Sequence, residues 1–193
     1  MAQLFSPRAN TVVRSVLVAA GAFVVFLPIA VWAFFRTPIA TGQYSTPPQP
    51  IPFSHPLHVN GLRIDCRYCH AGAERASMAG LPPTKACVPC HTDGLLRSTL
   101  FTPVRQSLSS GRPIMWQRVN RLPDFVFFNH AVHVRKGMGC ETCHGPVHLM
   151  QSVYQAAPLT MDWCVDCHRQ PERYLGSAAG DMRRLTSCTT CHR

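Results

Sequence analysis

Five copies of a Cys-x-x-Cys-His pentapeptide, an uncharged apolar run over residues 15–35, and no long helical or strand periodicity after it together predict the fold class. That class is one N-terminal transmembrane helix followed by little regular secondary structure, with short helices and loops wrapped around five c-type haems. Arithmetic argues against an ordinary core. Residues 53–192 supply 140 residues for five cofactors, or 28 each, too little chain per unit to bury a normal set of side chains. The porphyrins are expected to be the core.

The motifs are Cys66, Cys69, His70; Cys87, Cys90, His91; Cys140, Cys143, His144; Cys164, Cys167, His168; and Cys188, Cys191, His192, and they use all ten cysteines. Two thiols three residues apart can form thioethers with the two vinyl groups of one haem, and the adjacent imidazole then meets the iron as its proximal ligand. Zinc ribbons and disulfides are the competing readings. Zinc sites built from Cys-x-x-Cys pairs do not require a histidine directly after the second cysteine, and five pairs leave one pair over. A disulfide scaffold gives no reason for histidine at the same offset five times.

The remaining histidines are His55, His58, His130, His133 and His148, so ten histidines face ten axial positions on five irons. Four of them fall in two copies of one pattern, Phe53-Ser54-His55-x-x-His58-Val59 and Phe128-Asn129-His130-x-x-His133-Val134. These four are expected to be distal ligands. Both rings of a pair cannot serve one iron, whose proximal side is taken, yet residues three apart lie close together. Each pair therefore sends its rings to two different haems and holds those haems near one another. The fifth distal ligand is left open among His148, Met150 and Met161, with Met78, Met115 and Met182 as outside candidates. The offset of His148 is occupied by Glu74 in the first copy, and a thioether sulfur is an accepted axial ligand that raises a haem's potential.

Residues 1–14 are read as a cytoplasmic N-terminus and 15–36 as the transmembrane anchor. The apolar run exceeds the 7 to 15 residues usual for a signal peptide, and no clear small-x-small cleavage site follows it. Arg8 and Arg14 precede the run, and Arg36 is alone behind it until Arg63, which puts the N-terminus on the cytoplasmic side and the haems in the periplasm. Residues 37–52, with five prolines and no charge, read as an extended linker. The haem domain, 53–193, divides into a module at 53–91, a spacer at 92–127, a duplicate module at 128–168 and a fifth-haem segment at 169–193. The spacer holds five arginines and Trp116, and is either a partner-facing surface or a plain packing segment.

Several phrases between the motifs carry a resemblance: Leu81-Pro82-Pro83-Thr84-Lys85 before the second motif, Leu122-Pro123-Asp124-Phe125-Val126 before the second histidine pair, and Leu159-Thr160-Met161-Asp162-Trp163 before the fourth motif. With the order of the modules, these resemble the pentahaem cytochrome c (ActA) of bacterial alternative complex III, from the anchor to about residue 175. The histidine pairs are also similar to the ligand pairs of class III multihaem cytochromes of the c3 and c7 type. The resemblance implies a place in the cytoplasmic membrane of a bacterium, within a quinol-oxidising complex. Its partners there would be multi-span quinol-binding subunits, an iron-sulfur protein, a monohaem cytochrome c and an external acceptor such as a small cytochrome c, blue copper protein or oxidase.

With enough ligands to close every iron, the chain is read as an electron-transfer subunit rather than a site of catalysis. The alternatives are a stand-alone membrane quinol dehydrogenase of the NapC/NrfH type and a multihaem reductase, which needs one open iron with acid-base groups around it. The net charge of +10 would suit nucleic acid, but a periplasmic location removes that partner. Ten haem propionates give the cations a nearer use. All but Lys85 and Lys136 of the cations are arginine, whose planar fork fits carboxylates.

Overall fold

A computed structural model describes residues 6–91, 93–176 and 185–192. The chain separates into two units, Met1–Thr41 and Gly42–Arg193.

Unit one is built on helix α1, Pro7–Phe34. Ser6, in extended conformation, accepts the Ala9 N–H at 3.3 Å, and Pro7 fills the first helical position, where no amide donor is needed. The helix thus begins ahead of the apolar run, because a polar cap can start a helix that only its later turns would bury in lipid. It continues through Pro28. At 28 residues it is about 42 Å long, more than the ~30 Å hydrocarbon layer requires. Its apolar side chains are exposed all round, and none of its most apolar stretch is buried by protein. At the far end the Arg36 guanidinium lies 4.3 Å over the Trp32 ring, a pairing suited to the headgroup level.

Unit two has no β-strand among its described residues. Its α-helices of six or more residues are α2, Thr102–Ser110; α3, His130–Arg135; and α4, Met161–Arg169. The other described residues form short turns and loops. Its buried apolar side chains, among the described residues, are Ala73, Val104, Ala131, Met150 and Ala157. Leu57, Leu62, Phe125, Phe127, Val132 and Leu149 remain at least half exposed. Burial on that scale does not hold a unit of this size together.

Hydrogen bonds between loops carry much of the organisation. Residues 43–49, within the stretch 37–52 read as an extended linker, are fastened to this unit. Gln43 Nε2 donates to the Ala156 carbonyl at 2.6 Å, the Tyr44 N–H to the Gln155 carbonyl at 2.9 Å, and Gln49 bonds both ways with the Gln117 backbone at 3.0 Å. In a proline-rich stretch with few amide donors, the glutamine side chains supply the bonds that the backbone cannot. The 92–127 spacer packs through α2. Val104 is 1% exposed, and Ser107 meets the Thr84 hydroxyl at 2.6 Å, just ahead of the second motif. Arg105 donates to the carbonyls of Leu96 and Ser98.

The loop after the first motif is closed by Gly72, whose N–H bonds to the Ala79 carbonyl at 3.1 Å. A methyl group at Gly72 would sit 2.7 Å from the carbonyl oxygens of both Met78 and Ala79. The same loop receives α3: His130 and Ala131 donate their N–H groups to Ser77 and Ala76 at 3.1 Å, and Arg135 Nε donates to the Glu74 carbonyl at 2.8 Å. Gly72→Ala is expected to destabilise the protein by roughly 1–3 kcal/mol, since backbone rather than a flexible side chain must move. Thermal unfolding would show it, and an unchanged midpoint would refute the packing argument.

Candidate cofactor-binding site

Each Cys-x-x-Cys-His motif folds as a helical turn. The histidine N–H closes onto the first cysteine's carbonyl in three of them: His70 to Cys66 at 2.9 Å, His91 to Cys87 at 3.0 Å and His192 to Cys188 at 2.9 Å. His144 and His168 lie within the helices Cys140–His144 and α4. Positions i, i+3 and i+4 of a turn share one face, so two thiols and one imidazole are presented together. Asp65 caps the first turn by accepting the Arg67 N–H at 2.8 Å. Its carboxyl is held down at about 2, chiefly by the Arg67 guanidinium.

The other histidines meet these turns ring to ring. His58 and His91 have centroids 6.0 Å apart, His130 and His144 6.3 Å with planes 6° from parallel, and His133 and His168 6.0 Å. Two metal–nitrogen bonds of about 2.0 Å plus a ring radius of about 1.1 Å on each side give a separation of about 6.2 Å. The three pairs therefore fit one iron each. His55 lies close enough to His70 for the His70 ring to disfavour a charge on His55.

Tautomers follow from the acceptors. Nδ1 of His70 faces the Gly80 carbonyl at 2.8 Å, His130 that of Ser77 at 2.8 Å, His58 that of Ser54 at 2.8 Å and His133 that of Asn129 at 2.8 Å. His168 faces Leu185 at 3.0 Å and His192 faces Phe125 at 3.1 Å. A carbonyl can only accept, so Nδ1 carries the proton and the Nε2 lone pair is left for a metal. The buried Nδ1 atoms of His55 and His91 have no such partner.

The two histidine pairs are alike in detail. Phe53 stacks on His58 at 4.3 Å and meets His55 edge-on at 4.8 Å, and Phe128 does the same to His133 at 4.6 Å and His130 at 4.7 Å. The aromatic residue two positions before each pair fixes both rings at once, a role that the sequence shows only as part of a repeated phrase. His148 pairs differently. Its Nδ1 lies 2.6 Å from a Glu141 carboxylate oxygen beside the third motif. Met150 is buried, with its Cε against Gly145, whereas Met161 opens α4 and is 67% exposed. Met78 and Met115 are exposed, and Met182 lies outside the described residues.

Comparison with known proteins gives the family. Residues 126–193 match the family model of cytochrome c7 and related cytochrome c. The chain is also 32% identical to the menaquinone reductase multihaem cytochrome c subunit of Nitratidesulfovibrio vulgaris, over 88% of this chain and 86% of that protein. The chain belongs to the multihaem cytochromes c. Membership implies covalently bound haem c, and the donor set fits it: paired thiols on one face, with an imidazole whose Nε2 is free. When bound, haem supplies one-electron redox chemistry.

Burial, and then neighbouring imidazoles, lowers the pKa of His55 and His144; burial also lowers that of His133, against an opposing bond to Asn129. The fold thus favours their neutral forms. Their contribution to stability is complete above the ordinary value of 6.5 and is lost as pH falls below it toward the lowered values.

Proposed function

We propose that this cytochrome is a membrane-anchored pentahaem electron conduit, a subunit of a respiratory or photosynthetic complex that exchanges electrons with quinone. One haem c is held at each of the five motifs, with His70, His91, His144, His168 and His192 as proximal ligands. His55, His58, His130 and His133 complete the first, second, third and fourth irons, and the observation that carries this is the set of three imidazole pairs spaced for an iron. Four irons closed by two imidazoles each leave no position on them for a substrate. Electron transfer is what such irons can do.

For the fifth iron, position favours Met161 over His148 and Met150. Met161 stands one turn ahead of Cys164 on α4, and the Cys164 thiol neighbours Cys191 of the fifth motif. His148 and Met150 belong instead to a turn that packs against Pro56–Gly61 beside the first histidine pair. A thioether ligand would make the fifth haem the most oxidising of the set.

Helix α1 is read as a retained anchor, with the haem unit in the periplasm. Its length and unburied apolar surface support a membrane span, and Arg8 and Arg14 before the apolar run support the orientation. The phrases shared with alternative complex III support quinol oxidation in partner subunits, with delivery to an external acceptor. A second reading has the reverse direction, toward menaquinone, because the curated relative is part of a menaquinone reductase. Haem midpoints above that of the bound quinone favour the first, and midpoints below it the second.

Pyridine haemochrome analysis of the purified chain is expected to give five haems per polypeptide, and the dithionite-reduced protein is expected not to bind carbon monoxide. Stable carbon monoxide binding at any native haem would overturn the closed-ligand account. Met161→Ala should open one haem to carbon monoxide, and Met161→His should close it again while lowering its potential by a fraction of the ~0.8 V that axial ligation spans. If Met161→Ala leaves every iron closed, the fifth ligand lies elsewhere.

A further inference from the structure

We infer that the five attachment motifs form one unbranched row in the order second, first, third, fourth, fifth, with the Cys87–His91 and Cys188–His192 motifs as its ends. The inference rests on the proposed attachment of a haem at every motif.

Four junctions carry it. The second and first motifs are joined by His55-x-x-His58, since His58 faces His91 at 6.0 Å and His55 neighbours His70. Cys87 and Cys69 lie close enough for one thiol to perturb the other. The first and third motifs are joined by the docking of α3, where Ser77 accepts from both the N–H and Nδ1 of His130, and the Cys140 thiol is close enough to perturb that of Cys66. The third and fourth are joined by His130-x-x-His133, with rings 6.3 Å from His144 and 6.0 Å from His168, while Cys143 neighbours Cys164 and Cys167. The fourth and fifth are joined where His168 Nδ1 donates to Leu185, two residues before the fifth motif's Ser187 cap, and where Cys164 neighbours Cys191.

Chain order would instead run first, second, third, and would make the second motif an interior member. No described bond joins the second motif to the third. The neighbours of the second motif on the spacer side are Phe101, at 4.8 Å from His91, and α2, whose Ser107 bonds to Thr84. Exchange with a partner is accordingly expected at the second and fifth motifs.

Removing a distal imidazole makes one haem high-spin, which speeds the magnetic relaxation of adjacent low-spin haems. In the full-length ferric protein, each of His55→Ala, His58→Ala, His130→Ala and His133→Ala identifies its own haem by the low-spin electron paramagnetic resonance signal it removes. His58→Ala is expected to shorten the relaxation of one other haem, the one assigned by His55→Ala. His55→Ala should affect two, those assigned by His58→Ala and His130→Ala. Two affected neighbours in His58→Ala, or an unaffected His130-ligated haem in His55→Ala, would overturn the order. Should alanine reduce haem incorporation, His58→Met and His55→Met keep the iron six-coordinate. The raised potential of the substituted haem should then displace the midpoint of one neighbour in the first variant and two in the second. A haem count below five in the unsubstituted protein would defeat the attachment reading itself, and is told apart by stoichiometry alone.

Discussion

A backbone carbonyl that receives a proton from imidazole Nδ1 is the interaction on which the rest of unit two depends. Ser54, Ser77, Gly80, Phe125, Asn129 and Leu185 each present one to a histidine. A carbonyl cannot donate, so each contact fixes the tautomer as well as the ring orientation and leaves Nε2 basic. The carbonyls of a helix interior or a sheet ladder are already engaged by the regular pattern. A chain that must orient this many imidazoles therefore needs carbonyls outside regular structure. The scarcity of long helices, and the absence of strands among the described residues, follow from that demand.

The same demand explains the sparse side-chain core. Loops closed on histidines leave Leu57, Leu62, Phe125, Phe127 and Val132 uncovered by protein, and these are the groups that a porphyrin of large apolar area would cover. Some arginines are already used by protein acceptors. Arg67 bonds to Asp65 and Glu74, Arg105 to Leu96 and Ser98, and Arg135 to Glu74. These three guanidiniums work within the protein, and only part of the net charge of +10 is therefore left for haem propionates.

The five helical turns of Cys-x-x-Cys-His were legible in the sequence because the chemistry expected of them demands fixed residue types at fixed spacing. The histidine pairs were legible because the phrase repeats. What receives the Nδ1 proton was not, since every residue owns a carbonyl and no letter marks the one used. The start of α1 at Pro7 rather than at the apolar run, and the fastening of residues 43–49, escaped for related reasons. A cap works in polar sequence, and proline-rich composition signals extended backbone without saying what it lies against. His148 was weighed as an iron ligand on its residue type. Its Glu141 partner, seven positions back, lies beyond the three- or four-residue reach of a helical turn, so no local pattern announced the pair.

The inferred order of the motifs follows from the repeated pattern through symmetry. Cys66 and Cys140 are equivalent positions, each the first cysteine of its repeat, and the Cys140 thiol is close enough to perturb that of Cys66. Two further contacts between the modules are reciprocal. Residues 74–77 of the first module receive α3, which bears the second histidine pair, and Val147–Leu149 of the second module pack against Pro56–Gly61, which bears part of the first. Equivalent surfaces meeting in both directions are the mark of a two-fold, self-complementary contact. With the proposed haem at every motif, two two-haem units joined by such a contact would present their equivalent first motifs to each other and their second motifs outward. The inferred order second, first, third, fourth is the one this symmetry requires. The fifth motif, added beyond the repeat, extends one end alone, and the two ends of the row are chemically unlike for that reason: one is the imidazole pair His58 and His91 beside Phe101, and the other is His192, anchored on the carbonyl of Phe125.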